Sequence, residues 1–257
     1  MTMGISFLAR ISLFTLLLFL QSFDAGSQAK NFCGVKNTTA YDGEIISYHV
    51  YYSLAGIQAK AATVTFSTQL EKYQGKVVYH FKGQGGTLSS YDWFFKVRDV
   101  YESYVDTSNM MPLKFRRDIQ EGKNKFFNQA LFNYTSQQIL STNKSIELLP
   151  CTQDVLSAIY YARNIDFTKY KANDKIPFNL YLDDKNYPIY LRYLGKQNLK
   201  IAKKNYPCIV FKPLLIDGTI FTGGEDMKVF VTDDKRKIPI YIETPILVGK
   251  IKVFMKN

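Results

Sequence analysis

Short stretches dense in β-branched and aromatic residues recur along this chain, separated by Gly, Asp and Asn. That rhythm restricts the fold more than any single motif does. Residues 45–52 and 63–66 flank Ala55-Gly56 as a hairpin or near-hairpin, and residues 77–81 follow the turn signal Gln74-Gly75. Gly83-Gln84-Gly85-Gly86 loosens the backbone ahead of an aromatic run at residues 91–95. Alternation resumes at residues 101–105, 113–116 and 126–134. Further strands are predicted at residues 176–182 and 189–193, around Asp183-Asp184-Lys185-Asn186, then at 208–211, 227–231, 238–242 and 248–254. Pro177, Pro188 and Pro239 lack a ladder donor and mark strand starts or edges.

One segment departs from this rhythm. After Pro150, Thr152 is placed to cap a helix over about residues 153–163, with Asp154 in its first turn, where negative charge is favourable. Val155, Ile159 and Ala162 fall on one side of that helix, with Leu156 and Tyr160 beside them. The pattern predicts an all-β, mainly antiparallel fold: a strongly curved sheet or partly open β-barrel with one short packed helix. Met111-Pro112-Leu113 leading to Gly122 and Ile238-Pro239-Ile240 leading to Gly249 share one Pro-to-Gly spacing. Similar halves or chance would both produce that echo. No Pro-, Gly- or Ser-rich linker divides the chain, so one domain is expected over residues 30–257.

Ahead of the strands, Arg10 precedes an apolar run at residues 11–20 that ends in small and polar residues. The run is short against the roughly 20 residues of a spanning helix. Ser27-Gln28-Ala29 offers the small residues of a cleavage site, with Ala25 as a second end, so residues 1–29 are predicted to be a secretory signal peptide. Cleavage would leave no transmembrane span. The formal charge of +11 survives it, because Arg10 and Asp24 leave together. Such a charge favours approach to an anionic surface or polymer, or simply solvates the surface. Export and the lack of a recognition motif argue against nucleic acid.

Three cysteines remain after cleavage. Export permits a disulfide, and Cys151 with Cys208 is the favoured pair, leaving Cys33 in a mobile N-terminal stretch; two buried free thiols are the alternative. Asn37, Asn133 and Asn143 each open an Asn-X-Ser/Thr sequence, which matters only in a eukaryotic secretory route. His49 and His80 are the only histidines and have no cluster of Cys or carboxylate ligands, so no metal and no cofactor are expected. Asp183 and Asp184 read as turn residues. No phosphate-binding loop or nucleophile elbow is present, and no catalytic residues are assigned. The aromatic load either fills a large β core or marks a binding surface. Trp93 and Phe95 lie beside Arg98, and with Tyr51 and Phe66 they form the candidate ligand-binding set, suited to stacking on sugars or holding acyl chains below anionic headgroups.

Residues Gly43-Glu44-Ile45-Ile46-Ser47-Tyr48-His49-Val50-Tyr51-Tyr52, with Ala55-Gly56-Ile57-Gln58-Ala59 after them, resemble the opening of the domain of unknown function 3108 family. The likeness continues through Asp154-Val155-Leu156-Ser157-Ala158-Ile159-Tyr160-Tyr161-Ala162-Arg163. It closes at Val231-Thr232-Asp233-Asp234, Arg236, Ile238-Pro239-Ile240 and Gly249-Lys250-Ile251. The resemblance implies an exported bacterial protein with an all-β fold, and no settled activity to carry over. By analogy, an open half-barrel like that of the periplasmic lipoprotein carriers is a fitting architecture. The resulting expectation is a periplasmic or envelope-associated protein, more a binder than an enzyme, that holds a lipid or glycan. A structural module engaging an envelope protein is the alternative, and a hydrolase is a lesser one.

Overall fold

A computed structural model describes residues 33–93, 95–217 and 222–256; the predicted signal peptide lies outside them. Eight strands run outward in sequence order: β1 Ile45–Leu54, β2 Ile57–Tyr73, β3 Lys76–Thr87, β4 Val97–Asp106, β5 Pro112–Glu121, β6 Asn124–Asn133, β7 Gln138–Ser141 and β8 Ser145–Glu147. After β9 (Thr152–Asp154), helix α1 spans Val155–Arg163. Then come β10 Lys175–Leu182, β11 Lys185–Ile201, β12 Lys204–Pro213, the small pair β13 Leu215–Asp217 and β14 Thr222–Gly224, β15 Lys228–Thr232, β16 Pro239–Pro245 and β17 Lys250–Met255. One 15-stranded sheet orders them β8-β7-β6-β5-β4-β3-β2-β1-β17-β16-β15-β12-β11-β10-β9. The first and last long strands therefore pair antiparallel, from Tyr48↔Met255 to Ser53↔Lys250. The sheet is open, mostly antiparallel, and the three-residue β9–β10 ladder is parallel.

Turn chemistry sets these registers. Ala55-Gly56 and Gln74-Gly75 both hold positive φ at two successive residues, the conformation whose twist suits a two-residue hairpin. Asp183-Asp184 closes β10 to β11 in the same way. The two proline-opened hairpins predicted around Gly122 and Gly249 form as β5–β6 and β16–β17. Pro177 and Pro188 lie in the β10–β11 ladder at positions that β9 and β12 do not reach, so neither strand misses a donor there. The glycine run behaves differently from its expectation. Gly83 to Gly86 remain in β3, because β2 and β4 supply ladder partners on both sides.

Helix α1 wedges between two cores. Leu156, Tyr160 and Tyr161 join Phe81, Phe115 and Tyr181, with the Tyr160 and Phe81 rings stacked 3.7 Å apart between centroids. Val155, Ala158 and Ala162 pack instead on Ile165, Phe167, Leu191, Phe211 and Val229. The predicted cap is corrected. Thr152 belongs to β9, whose extended pairing with β10 runs through Asp154, so Asp154 is the N-cap. Its Oδ1 accepts from the Leu156 and Ser157 amides at 2.9 and 2.8 Å, while Ser157 Oγ accepts from the Asp154 amide at 2.9 Å. At the other end, Arg163 donates two hydrogen bonds to the buried Glu44 carboxylate, at 2.7 and 2.9 Å, and a third to Thr39 O at 3.1 Å.

The disulfide is also corrected. Cys151 is bonded to Cys33, whereas Cys208 is a buried free thiol enclosed with Val210, Phe230 and Ile240. The segment after Cys33 is held in place by Thr38, whose amide donates to Asn164 Oδ1 at 2.8 Å, and by the Thr39 carbonyl on Arg163. Side chains also join opposite ends of the strand order. Asn186 donates to Glu147 O and Asn143 to Asp184, both at 2.8 Å, Arg117 pairs with Asp183, and Tyr181 meets Phe132 edge-on at 5.7 Å.

Candidate functional site

Three cross-strand rows on β2, β3 and β4 face α1: Val64·Gly85·Asp99, Phe66·Gly83·Tyr101 and Thr68·Phe81·Ser103. Where the middle residue is Phe81, its ring fills the space against Tyr160. Over Gly83 the Phe66 ring and Leu156 press in, 3.1 and 3.5 Å from where a Cβ would stand, and past them the side of Gly85 stays less filled. The result is a cleft of about 220 Å³, walled by Val64, Phe66 and Tyr101 on the sheet and by Val155, Leu156 and Ile159 on the helix. Gly85 faces Val64 Cγ2 at 3.5 Å from where a Cβ would stand, ordinary van der Waals contact, so the glycine leaves room that a side chain could occupy.

The polar edge of the cleft is narrow. Its polar side chain is Asp99, since Gln84, between the two glycines, borders the cleft with its backbone. Burial pushes the Asp99 carboxyl above the usual carboxylate range, against the opposing hydrogen bond from the Gln120 amide at 3.2 Å. Burial likewise pushes the Tyr101 hydroxyl up, so it stays protonated as a donor through neutral pH. This site suits an apolar body with a polar end, and among the described residues no group of three or more His, Cys, Asp or Glu is arranged to hold a metal ion.

Of the predicted ligand set, Phe66 lines the cleft. Trp93 and Phe95 sit on the β3–β4 connection, both exposed, and Arg98 clamps that connection through Asp92 at 2.6 Å and Thr87 O at 3.1 Å. Arg98 is therefore engaged in holding the loop. Tyr51 packs edge-on against Phe254 in an aromatic row that continues to Tyr241 and Phe230, and the cleft does not include it. Sequence reasoning missed Gly83, Gly85, Asp99, Leu156 and Ile159. The available signal was the period-two spacing of Gly83 and Gly85, which places both on one face of β3.

Other polar groups are committed to structure. Ser103 Oγ donates to Asp154 Oδ2 at 2.6 Å, but both residues are sealed from solvent and no histidine joins them. His80 stacks on Tyr104 at 4.5 Å and bonds Glu71 through Nδ1 at 2.8 Å. Asp183 and Asp184 serve the β10–β11 turn and its contacts to Arg117 and Asn143. Asn37 and Asn133 accept from backbone amides two and three residues ahead.

No curated protein sequence matches this chain. A solved β-barrel-like protein of domain of unknown function DUF1849 from Brucella abortus superposes with a TM-score of 0.55 at 9% identity, over 85% of this chain and 98% of that one. At that identity the likeness concerns the fold alone. The family model described as protein of unknown function (DUF3108) matches residues 47–256, and the chain belongs to that family.

Proposed function

We propose that this is an exported, non-catalytic binding protein, a single β-rich domain that holds an apolar or amphipathic envelope molecule between α1 and strands β2–β4. The observation that carries this reading is the glycine-floored cleft, about 220 Å³, with apolar walls and the Asp99 carboxyl at its edge. Its volume is below the roughly 300–1,000 Å³ of sites for drug-sized ligands, which suits one acyl chain better than a lipid with several. The walls offer few hydrogen-bond partners for sugar hydroxyls, so a lipid is favoured over a glycan. Contacts between the two ends of the sheet support a strongly curved, partly closed half-barrel, as does likeness to a protein described as β-barrel-like. A Cys33–Cys151 bond fits the oxidising compartment that the signal sequence implies. A packed interior would have favoured a purely structural module, and the cleft argues against that.

Native mass spectrometry of the protein purified from membranes-containing extract without detergent tests the reading. An adduct of acyl-lipid mass is expected, and it should disappear when Gly85 is changed to Val. A repeatedly bare protein that also fails to take up added fatty acid would overturn it.

A further inference from the structure

We infer that the end of the sheet carrying the β16–β17, β1–β2, β3–β4 and β5–β6 connections docks onto an anionic lipid bilayer surface. Antiparallel pairing places these four connections side by side at one end of the strands. With hairpins two strands apart, the row spans roughly 30 Å along the sheet. Three of these connections present large apolar side chains to solvent: Leu247 (67% exposed) and Val248 (61%), Ile57 (75%), and Trp93 (84%) with Phe95, whose ring lies against Gly122 of the fourth connection. Isolated exposed apolar residues are ordinary, but a row of them on three successive connections is a patch.

The patch is held together as a platform. Tyr52 Oη donates to Val248 O at 3.1 Å, the Leu88 amide to Ala61 O at 2.9 Å, and the Gly122 amide to Lys96 O at 2.7 Å. Gly249 adopts φ +85°, and a Cβ there would stand 2.6 Å from Ser53 O, so the turn presenting Leu247 and Val248 requires glycine. Interleaved with the apolar tips are Lys96, Lys123, Lys125 and Lys250, all exposed and none in an ion pair among the described residues. Glu121 lies among them, and the nearby Asp92 is neutralised by Arg98. Apolar tips ringed by lysines are complementary to a bilayer interface bearing negative headgroups, where apolar burial and electrostatic attraction act together. The inference rests on this exposed end and not on the cleft, so either can fail alone.

Trp93 is the only tryptophan in the chain, which makes its emission a direct report of this end. The full chain without residues 1–29 would be mixed with vesicles of phosphatidylglycerol and phosphatidylcholine, or of phosphatidylcholine alone. Anionic vesicles should shift the emission to the blue, brominated acyl chains should quench it, and binding should weaken with salt. I57D combined with V248D should weaken vesicle binding at least tenfold with an unchanged unfolding midpoint. K123E combined with K125E should remove the preference for anionic vesicles. Unshifted emission with bound protein, or a shift that depends on protein concentration without vesicles, would overturn the inference in favour of another face or of self-association.

Discussion

The two cores that α1 separates are built from opposite residue choices on similar backbones. On one side β10, β11, β12 and β15 project Phe178, Leu191, Tyr193, Phe211 and Val229 inward, and Phe167 fills the remaining space with its ring 5.1 Å from Tyr193 and 5.9 Å from Phe211. On the other side β3 projects Phe81, then Gly83 and Gly85; Phe66 and Leu156 lean over Gly83, and the space beyond them stays open. A strand ladder is indifferent to that choice, because backbone pairing does not depend on the side chain. Whether a sheet interior is solid or hollow is thus decided by a few inward positions and not by topology.

The largest effect should come from the contact on which both cores depend. Arg163→Met leaves Glu44 buried with Arg236 as its remaining cationic partner, and should cost about 3–5 kcal/mol by denaturant midpoint. Changing Glu44 to Gln in the same chain should recover part of that loss, since the uncompensated charge is then gone. Next, Phe167→Ala empties the solid core and should cost about 3 kcal/mol or more, whereas Phe66→Ala, at the wall of an existing opening, should cost clearly less. Equal losses at the two positions would show that the cores do not differ in packing.

A third effect concerns the N-cap of α1. Burial pushes the Asp154 carboxyl from 3.8 up to about 6, against the hydrogen bonds from Ser103 and the helix amides. A raised carboxylate favours the protonated folded state, so its contribution is fully present below about pH 4 and is lost as pH rises through about 6. The loss is on the order of 3 kcal/mol. Asp154→Asn keeps the capping oxygen and should flatten the stability profile between those pH values, as urea midpoints across the range would show.

Much of this framework was legible in the sequence because strand periodicity, paired turn residues and proline placement act locally. The run from residue 45 to 81 and the hairpins around Gly122 and Gly249 illustrate this. What escaped is set by distant contacts. Cys33 has no pattern around it that hints at Cys151, since that segment is positioned by contacts distant in sequence, Thr38 to Asn164, Thr39 to Arg163 and Val35 against the core. The short strands β7, β8 and β9 carry too few residues to show alternation. The glycines read as loosening the backbone are held in a strand by both neighbours, and the cleft they line left no other mark on the sequence.

The smallest effect on stability should accompany the largest on binding. Gly85→Val fills the cleft at a backbone position that any residue can adopt, and its unfolding midpoint should move by less than about 1 kcal/mol. The decisive measurement titrates a fatty acid carrying an environment-sensitive fluorophore into the parent chain and this variant. Saturable binding that unlabelled fatty acid displaces, weakened at least tenfold by the valine, is the result predicted here. Equal binding by both chains, or none by either, would contradict a ligand site at the glycine-floored cleft.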